Sequence, residues 1–197
     1  GEKGDKGDTG ATGATGALFN VKGDLAILDT SSAKTGTITG GEAYNAGNID
    51  VFGVMTMTGG VISDGFAQNE GGNLRVYYIK DYDADGNEFS ASSFTMDGGE
   101  ITGGYAGGNG GSVLTYGITN LNTGKITGGE AANMGGNLRP FRPAIVTIGE
   151  NFEISGGKAD KGGNIAAAGS YSESASAWPA YTYLTIKGTI TNGTAAE

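Results

Sequence analysis

The stretch Gly124–Leu138, GKITGGEAANMGGNL, carries a pattern that recurs six times along the chain. Its anchors are Ile38, Ile62, Ile101, Ile126, Ile154 and Ile190. Five places after each anchor stands an alanine: Ala43, Ala67, Ala106, Ala131, Ala159 and Ala195. Farther on, after one or two glycines, comes Asn48, Asn73, Ser112, Asn137 or Asn164. An apolar residue follows each of these: Ile49, Leu74, Val113, Leu138 and Ile165. The sixth copy is cut off by the chain end. An internal repeat of this length outranks local propensity as a guide to fold, because each copy must bury its apolar face against the next.

The anchors lie 24, 39, 25, 28 and 36 residues apart. The short spacings suit one coil of a β-solenoid, and the long ones a coil with an insertion on one face. Apolar and polar residues alternate in Lys125-Ile126-Thr127 and Glu153-Ile154-Ser155. That period of two marks strands with one face buried. Glycines punctuate each run and predict short strands with tight corners. The Ile column is expected inside, where stacking buries apolar surface at about 25 cal/mol per Å². The Ala column is expected where the cross-section is narrow. Asn48, Asn73, Asn137 and Asn164 are expected to stack as an amide ladder that satisfies backbone groups of the turns. Ser112 interrupts that ladder, so the rung there is expected to pinch or to hold a water.

The segments MTGGVISDGFAQNEGGNL, MDGGEITGGYAGGNGGSV and LNTGKITGGEAANMGGNL resemble the repeats of right-handed parallel β-helix proteins of bacterial surfaces, the adhesin-like group. Their architecture is shared with pectate-lyase-like proteins. The segment at 25–41, LAILDTSSAKTGTITGG, resembles the opening coil of such arrays. The resemblance covers roughly 20–197. It implies an all-β fold, a right-handed parallel β-helix (β-solenoid) of about six coils. It says less about activity, since one fold hosts lyases, hydrolases, phage spikes and inert stalks.

Residues 1–16 have glycine at 1, 4, 7, 10, 13 and 16. This is the collagen triplet, in which only glycine fits the crowded axis of three chains. Lys3 and Lys6 stand before Gly-Asp steps, and Thr9, Thr12 and Thr15 fill later third places. The segment resembles the collagen-like stalks of bacterial surface proteins and phage fibres, which implies a homotrimer. The alternative is a flexible glycine-rich linker. Residues 17–34 read as a connector and cap. Leu18, Phe19 and Val21 are expected to close the open end of the core, and Leu25–Leu28 to form a buried strand. The solenoid is assigned to 35–197, with insertions near 77–94 and 169–183.

The first insertion holds Asp81, Asp83, Asp85, Gly86 and Asn87, the D-x-D-x-D-G opening of a calcium loop. Alternate oxygen ligands converge in such a loop, and glycine permits its turn. The twelfth place is Ser92 where the template wants Glu, with Glu88 as a partial substitute, so the template is half matched. Calcium is the one cofactor this suggests. The competing reading is a hairpin pairing Tyr77–Asp81 with Glu88–Ser92 around Asp-Gly-Asn. The second insertion holds Trp178, Tyr171 and Tyr181, with Tyr183 beyond. These rings either stack on sugar rings of a glycan or cover the flank of the solenoid. Between them lies RPFRP at 139–143, expected at an edge or corner because proline cannot donate to a ladder. Arg139 and Arg142 there either hold a carboxylate or sugar acid, or form a solvated or salt-bridged turn.

Composition narrows the function. Forty glycines far exceed ordinary use. There is no cysteine for a disulfide or thiolate site, and no histidine, the commonest general base and metal ligand. The formal net charge, 12 minus 21, is −9. Nucleic acid and anionic membrane are poor partners for such a chain. No apolar run approaches the ~20 residues of a membrane span. The chain lacks an initiator Met and begins and stops mid-pattern, so it is expected to be a piece of a longer protein.

Three functions compete. The first is a non-enzymatic extracellular or cell-surface module, a rigid adhesive rod on a collagen-like stalk, self-associating as a trimer or end-to-end fibre. The second is a phage tail-fibre or spike segment that binds a host glycan. The third is a polysaccharide lyase or glycosidase. Glycosidase chemistry needs two carboxylates facing a cleft. The candidates Glu42, Glu100, Glu130 and Glu153 sit in ordinary outward positions of the repeat.

Overall fold

The structure, a computed structural model, describes residues 17–29, 36–86, 88–167 and 182–196. Among these the fold is all-β, with strands in parallel sheets and one antiparallel hairpin. The collagen-like segment at 1–16 lies outside the described residues.

Three parallel sheets take their strands from successive repeats. The isoleucine sheet has four long strands, Val54–Ser63, Ser93–Thr102, Ile118–Thr127 and Ile145–Ser155. Leu25–Ile27 and Thr37–Thr39 flank it on one side, Tyr183–Ile186 and Thr189–Thr191 on the other. The alanine sheet joins Glu42–Asn45, Phe66–Glu70, Tyr105–Ala106, Glu130–Met134, Lys158–Lys161 and Thr194–Ala195. The asparagine sheet, which opens just after each ladder residue, joins Phe19–Lys22, Ile49–Phe52, Leu74–Val76, Val113–Thr115 and Leu138–Pro140.

The repeat sets the register. All six anchors pair in one column, from Ile38 with Ile62 to Ile154 with Ile190. The alanines form a second column from Ala43 to Ala195. Ile49, Leu74, Val113, Leu138 and Ile165 form a third. Like residues stack because a slip of one residue would turn every inward side chain outward. The core is lined by these columns with Met55, Met57, Phe94, Met96, Leu121 and Ile148, all fully buried.

From the second repeat on, the corners that lead to the asparagine positions use two successive glycines differently. Gly135 has φ of 69°, the left-handed region. Gly136 lies so close to the neighbouring repeat that a Cβ would overlap the Gly163 carbonyl oxygen. Ala46, with φ of 53°, takes the left-handed position in the first repeat.

Two expectations for the opening segment need correction. Leu18 and Phe19 do not close the core; they stay 54% and 46% exposed, and only Val21 is half-buried. Leu25–Leu28 is not a buried strand. Leu25 and Ile27 pack on the core as an edge strand beside Met55 and Met57, while Leu28 is exposed. An edge strand has a neighbour on one side only, so it cannot be covered fully.

Candidate functional site

The amide ladder forms as expected. Asn48 Nδ2 donates to Asn73 Oδ1 at 2.8 Å, and Asn137 Nδ2 to Asn164 Oδ1 at 2.8 Å. Each Oδ1 also accepts a glycine N–H of its own repeat: Gly41, Gly65, Gly129 and Gly157. The ladder stops at Ser112, whose shorter side chain donates to the Gly103 carbonyl at 2.6 Å. Asn73 then turns its NH₂ to the carbonyls of Thr102 and Gly103. These groups hold the corners and are spent in doing so.

The chemically distinctive surface is the outer face of the asparagine sheet. Ile49 and Val51 point to the core, so Asp50 and Phe52 point away from it. The same alternation sets Arg75 with Tyr77, Leu114 with Tyr116, and Arg139 with Phe141. Asp50, Arg75, Leu114 and Arg139 are register partners, and all four are nearly inaccessible to water. Beside them runs an aromatic column. Phe52 and Tyr77 have centroids 4.9 Å apart, Tyr77 and Tyr116 5.8 Å, and Tyr116 and Phe141 5.2 Å. The Arg75 guanidinium lies 4.7 Å from the Tyr77 ring centre, and that of Arg139 lies 5.2 Å from Phe141. The cations face the rings' negative quadrupole.

The two arginines differ in their partners. Arg75 donates from Nε to Asp50 Oδ1 at 3.0 Å and from Nη2 to Oδ2 at 2.6 Å, a bidentate fork. Glu70 stands 3.9 Å away and accepts from the Tyr116 hydroxyl at 3.2 Å. Burial pulls the Arg75 pKa down, but Asp50 and Glu70 more than offset it, and the net shift is upward. Burial, then the charge and hydrogen bond of Glu70, push the Tyr116 hydroxyl well above the usual tyrosine range. Arg139 has no carboxylate within ion-pairing distance among the described residues. It donates from Nη1 to the carbonyls of Pro140 at 3.3 Å and Ala166 at 2.5 Å. Its Nε is buried without a hydrogen-bond partner, and burial lowers its pKa. The expected solvated or salt-bridged turn at Arg139 is therefore corrected: the residue belongs to a strand and is 4% exposed.

Tyr77, Tyr78, Tyr116, Phe141 and Arg142 line a cleft of about 280 Å³ over this column. The hairpin insertion and residues 141–143 of RPFRP both lie in the connection from an asparagine strand to the next isoleucine strand, where the column stands, while Arg139 and Pro140 belong to the strand.

The other site residues are dispersed. Asp81, Asp83 and Asp85 lie on the hairpin, which pairs Lys80–Tyr82 with Glu88–Ser90, a narrower pairing than the one expected. Asp83 Oδ1 accepts the Asp85 N–H at 2.9 Å, and Asp81 Oδ1 the Tyr82 N–H at 2.8 Å. The turn is Asp83–Gly86, closed by Gly86 N–H to the Asp83 carbonyl. Among the described residues no three acidic side chains gather in a metal-holding cluster. Asn87, Trp178, Tyr171 and Tyr181 lie outside the described residues. Glu42 and Glu130 share an outward column with Phe66, Tyr105 and Lys158. Glu100 pairs with Lys125 at 3.1 Å, and Glu153 accepts from Ser155 Oγ at 2.7 Å.

Sequence reasoning missed Arg75, Tyr116 and the aromatic column. The signal was present: an aromatic residue stands four places after the ladder position in Phe52, Tyr77, Tyr116 and Phe141. No protein-family model, curated protein or solved structure matches the chain.

Proposed function

We propose that the chain is a non-enzymatic extracellular module of a bacterial surface protein or fibre. In this reading a right-handed parallel β-helix of about six coils forms a rigid rod, carried on the collagen-like stalk of residues 1–16. The observation that carries it is the in-register stacking of like residues in three parallel sheets, from Ile38 to Ile190 in the longest column. Such a stack places its outward side chains at fixed spacing along one axis, which suits display and adhesion. The buried polar groups support the same reading, since the ladder amides and the Asp50–Arg75 pair are spent on holding strands together.

The test is the mass in solution, by light scattering, of the full chain and of a version lacking residues 1–16. The proposal expects a trimer that falls to a monomer on deletion. A monomer in both would overturn the stalk, and large polymers in both would replace it with end-to-end stacking.

A further inference from the structure

We propose that an uncharged apolar stripe on the isoleucine sheet is the surface by which copies of this chain pack side by side. The occupant, a second copy, rests on the reading of residues 1–16 as a stalk that carries parallel copies. The stripe itself does not.

The stripe follows from the register. Met55 and Met57 are fully buried, so the alternating residues Val54 and Thr56 point outward. Pairing carries this alternation along the sheet, and Val54, Ser93, Ile118, Ile145 and Tyr183 form one outward column. Its four large members are 39% to 61% exposed. The next outward column runs from Thr56 to Thr185 and is threonine apart from Asn120. Neither column contains a charge. The second half of the same strands sends out Glu100, Lys125 and Glu153, and the alanine sheet sends out Glu42, Glu130 and Lys158. Charge is segregated from the stripe. An apolar column left exposed on a sheet face marks a contact surface, and charge is depleted at the core of such surfaces. The aromatic column adjoins it in the chain, since Phe52, Tyr116 and Phe141 come just ahead of Val54, Ile118 and Ile145.

Two arguments select a second copy as the occupant. The first is charge. Each copy carries a net −9, so copies repel across much of their surface, and the stripe lets them meet without opposing like charges. The second is alignment. Chains that leave a Gly-X-Y stalk run in parallel, so each rung of one solenoid lies level with the same rung of its neighbours. Ile118 then meets Ile118, and Ile145 meets Ile145. The stalk also gains from such a contact: residues 1–16 contain no proline, the residue that presets the extended helix of each collagen strand.

The stripe is small. Five strands about 4.8 Å apart make it roughly 20 Å long. It covers well under the ~800 Å² per partner of a stable free-standing interface. Alone it leaves copies apart. Tethered by the stalk, copies face one another at high effective concentration, where a weak contact suffices.

The chain contains no cysteine, so a single introduced one reports contact without background. In the full chain, Ile118→Cys is expected to give a disulfide-linked dimer on oxidation, while Glu130→Cys, on the alanine sheet, stays unlinked. Ile118→Asp combined with Ile145→Asp is expected to raise the concentration at which the trimer dissociates by about tenfold. Sedimentation equilibrium reads that shift, and the circular-dichroism melt should not move. Where the double variant melts early, the cysteine result decides. A trimer in which Ile118→Cys links no better than Glu130→Cys would overturn the stripe, as would a double variant that dissociates at the unaltered concentration. The stalk is scored separately by removing residues 1–16. Linkage at position 118 that survives the removal sinks the stalk and keeps the stripe. A trimer lost on removal, with no linkage at 118 in the full chain, sinks the stripe alone. A full chain that is monomeric and unlinked sinks both.

Discussion

The side-chain amide of Asn48 donates to that of Asn73 at 2.8 Å, across 25 residues of chain. Each amide in this pair also holds backbone: Asn73 Oδ1 accepts the Gly65 N–H of its own repeat, and Asn48 accepts the Gly41 N–H of its own and donates from Nδ2 to the Ser63 carbonyl of the next. The ladder therefore ties neighbouring repeats together at the corner, where glycine supplies no side-chain contact.

Asn73→Ala is expected to destabilise the protein by about 2–4 kcal/mol. It strands the Gly65 N–H and removes the acceptor for Asn48, and a buried group left unpaired costs roughly 1–3 kcal/mol. Ser112→Ala removes one bond, to Gly103, and should cost less than Asn73→Ala. Urea unfolding midpoints of the two variants check the order.

The paired glycines should respond unequally. Gly135→Ala forces a Cβ into the left-handed region, at about 1–2 kcal/mol, and also presses it on the Leu138 carbonyl oxygen of its own turn. Gly136→Ala drives a methyl group against the Gly163 carbonyl and should cost more, since neighbouring repeats must separate to admit it. Thermal melting of both variants tests this, and an equal loss would mean that the contact between repeats costs no more than the strain within the turn.

Asp50→Asn is expected to cost about 2–4 kcal/mol, because it takes the hydrogen-bonded charge partner from the buried Arg75 guanidinium and leaves only Glu70 at 3.9 Å. The double variant Asp50→Leu with Arg75→Met removes the charge as well as the pair. It should recover most of that loss, giving a coupling visible in a double-mutant cycle.

Alkali should unfold the protein partly through Tyr116. Its folded-state pKa is raised above the unfolded value of about 10. The stability it contributes is therefore fully present below pH ~10 and is lost as pH rises toward the folded-state value. Tyr116→Phe should make the alkaline loss of stability less steep. The check is denaturant midpoint against pH, with tyrosinate absorbance marking the ionisation.

Much of this was legible in the chain. The Ile, Ala and Asn columns follow from one-dimensional spacing, because like positions in a stacked repeat meet in space. Ser112 was readable as a broken rung for the same reason. The outer face of the asparagine sheet was harder to read. In Ile49–Phe52 and Leu74–Val76 both faces are largely buried, so the alternation of a half-exposed strand is lost and a charged residue sits where water was expected. Arg139 read as part of a proline-bounded turn, yet it is a strand residue under an aromatic ring. Leu18 and Phe19 read as a cap on hydrophobicity alone, and among the described residues the strand Phe19–Lys22 has a neighbour, Ile49–Phe52, on one side only.

The repeat by itself determined which residues stack, because a common spacing and a period of two leave one register that keeps the isoleucines inside. Only the tertiary structure decided which arginine has its anion. Arg75 and Arg139 occupy equivalent places in the repeat and carry similar sequence around them. Arg75 meets Asp50 on the adjacent strand, whereas Arg139 meets Leu114 and the carbonyl of Ala166. Charge pairing acts across strands, over a few ångströms of space, and it depends on the neighbour that stacking supplies.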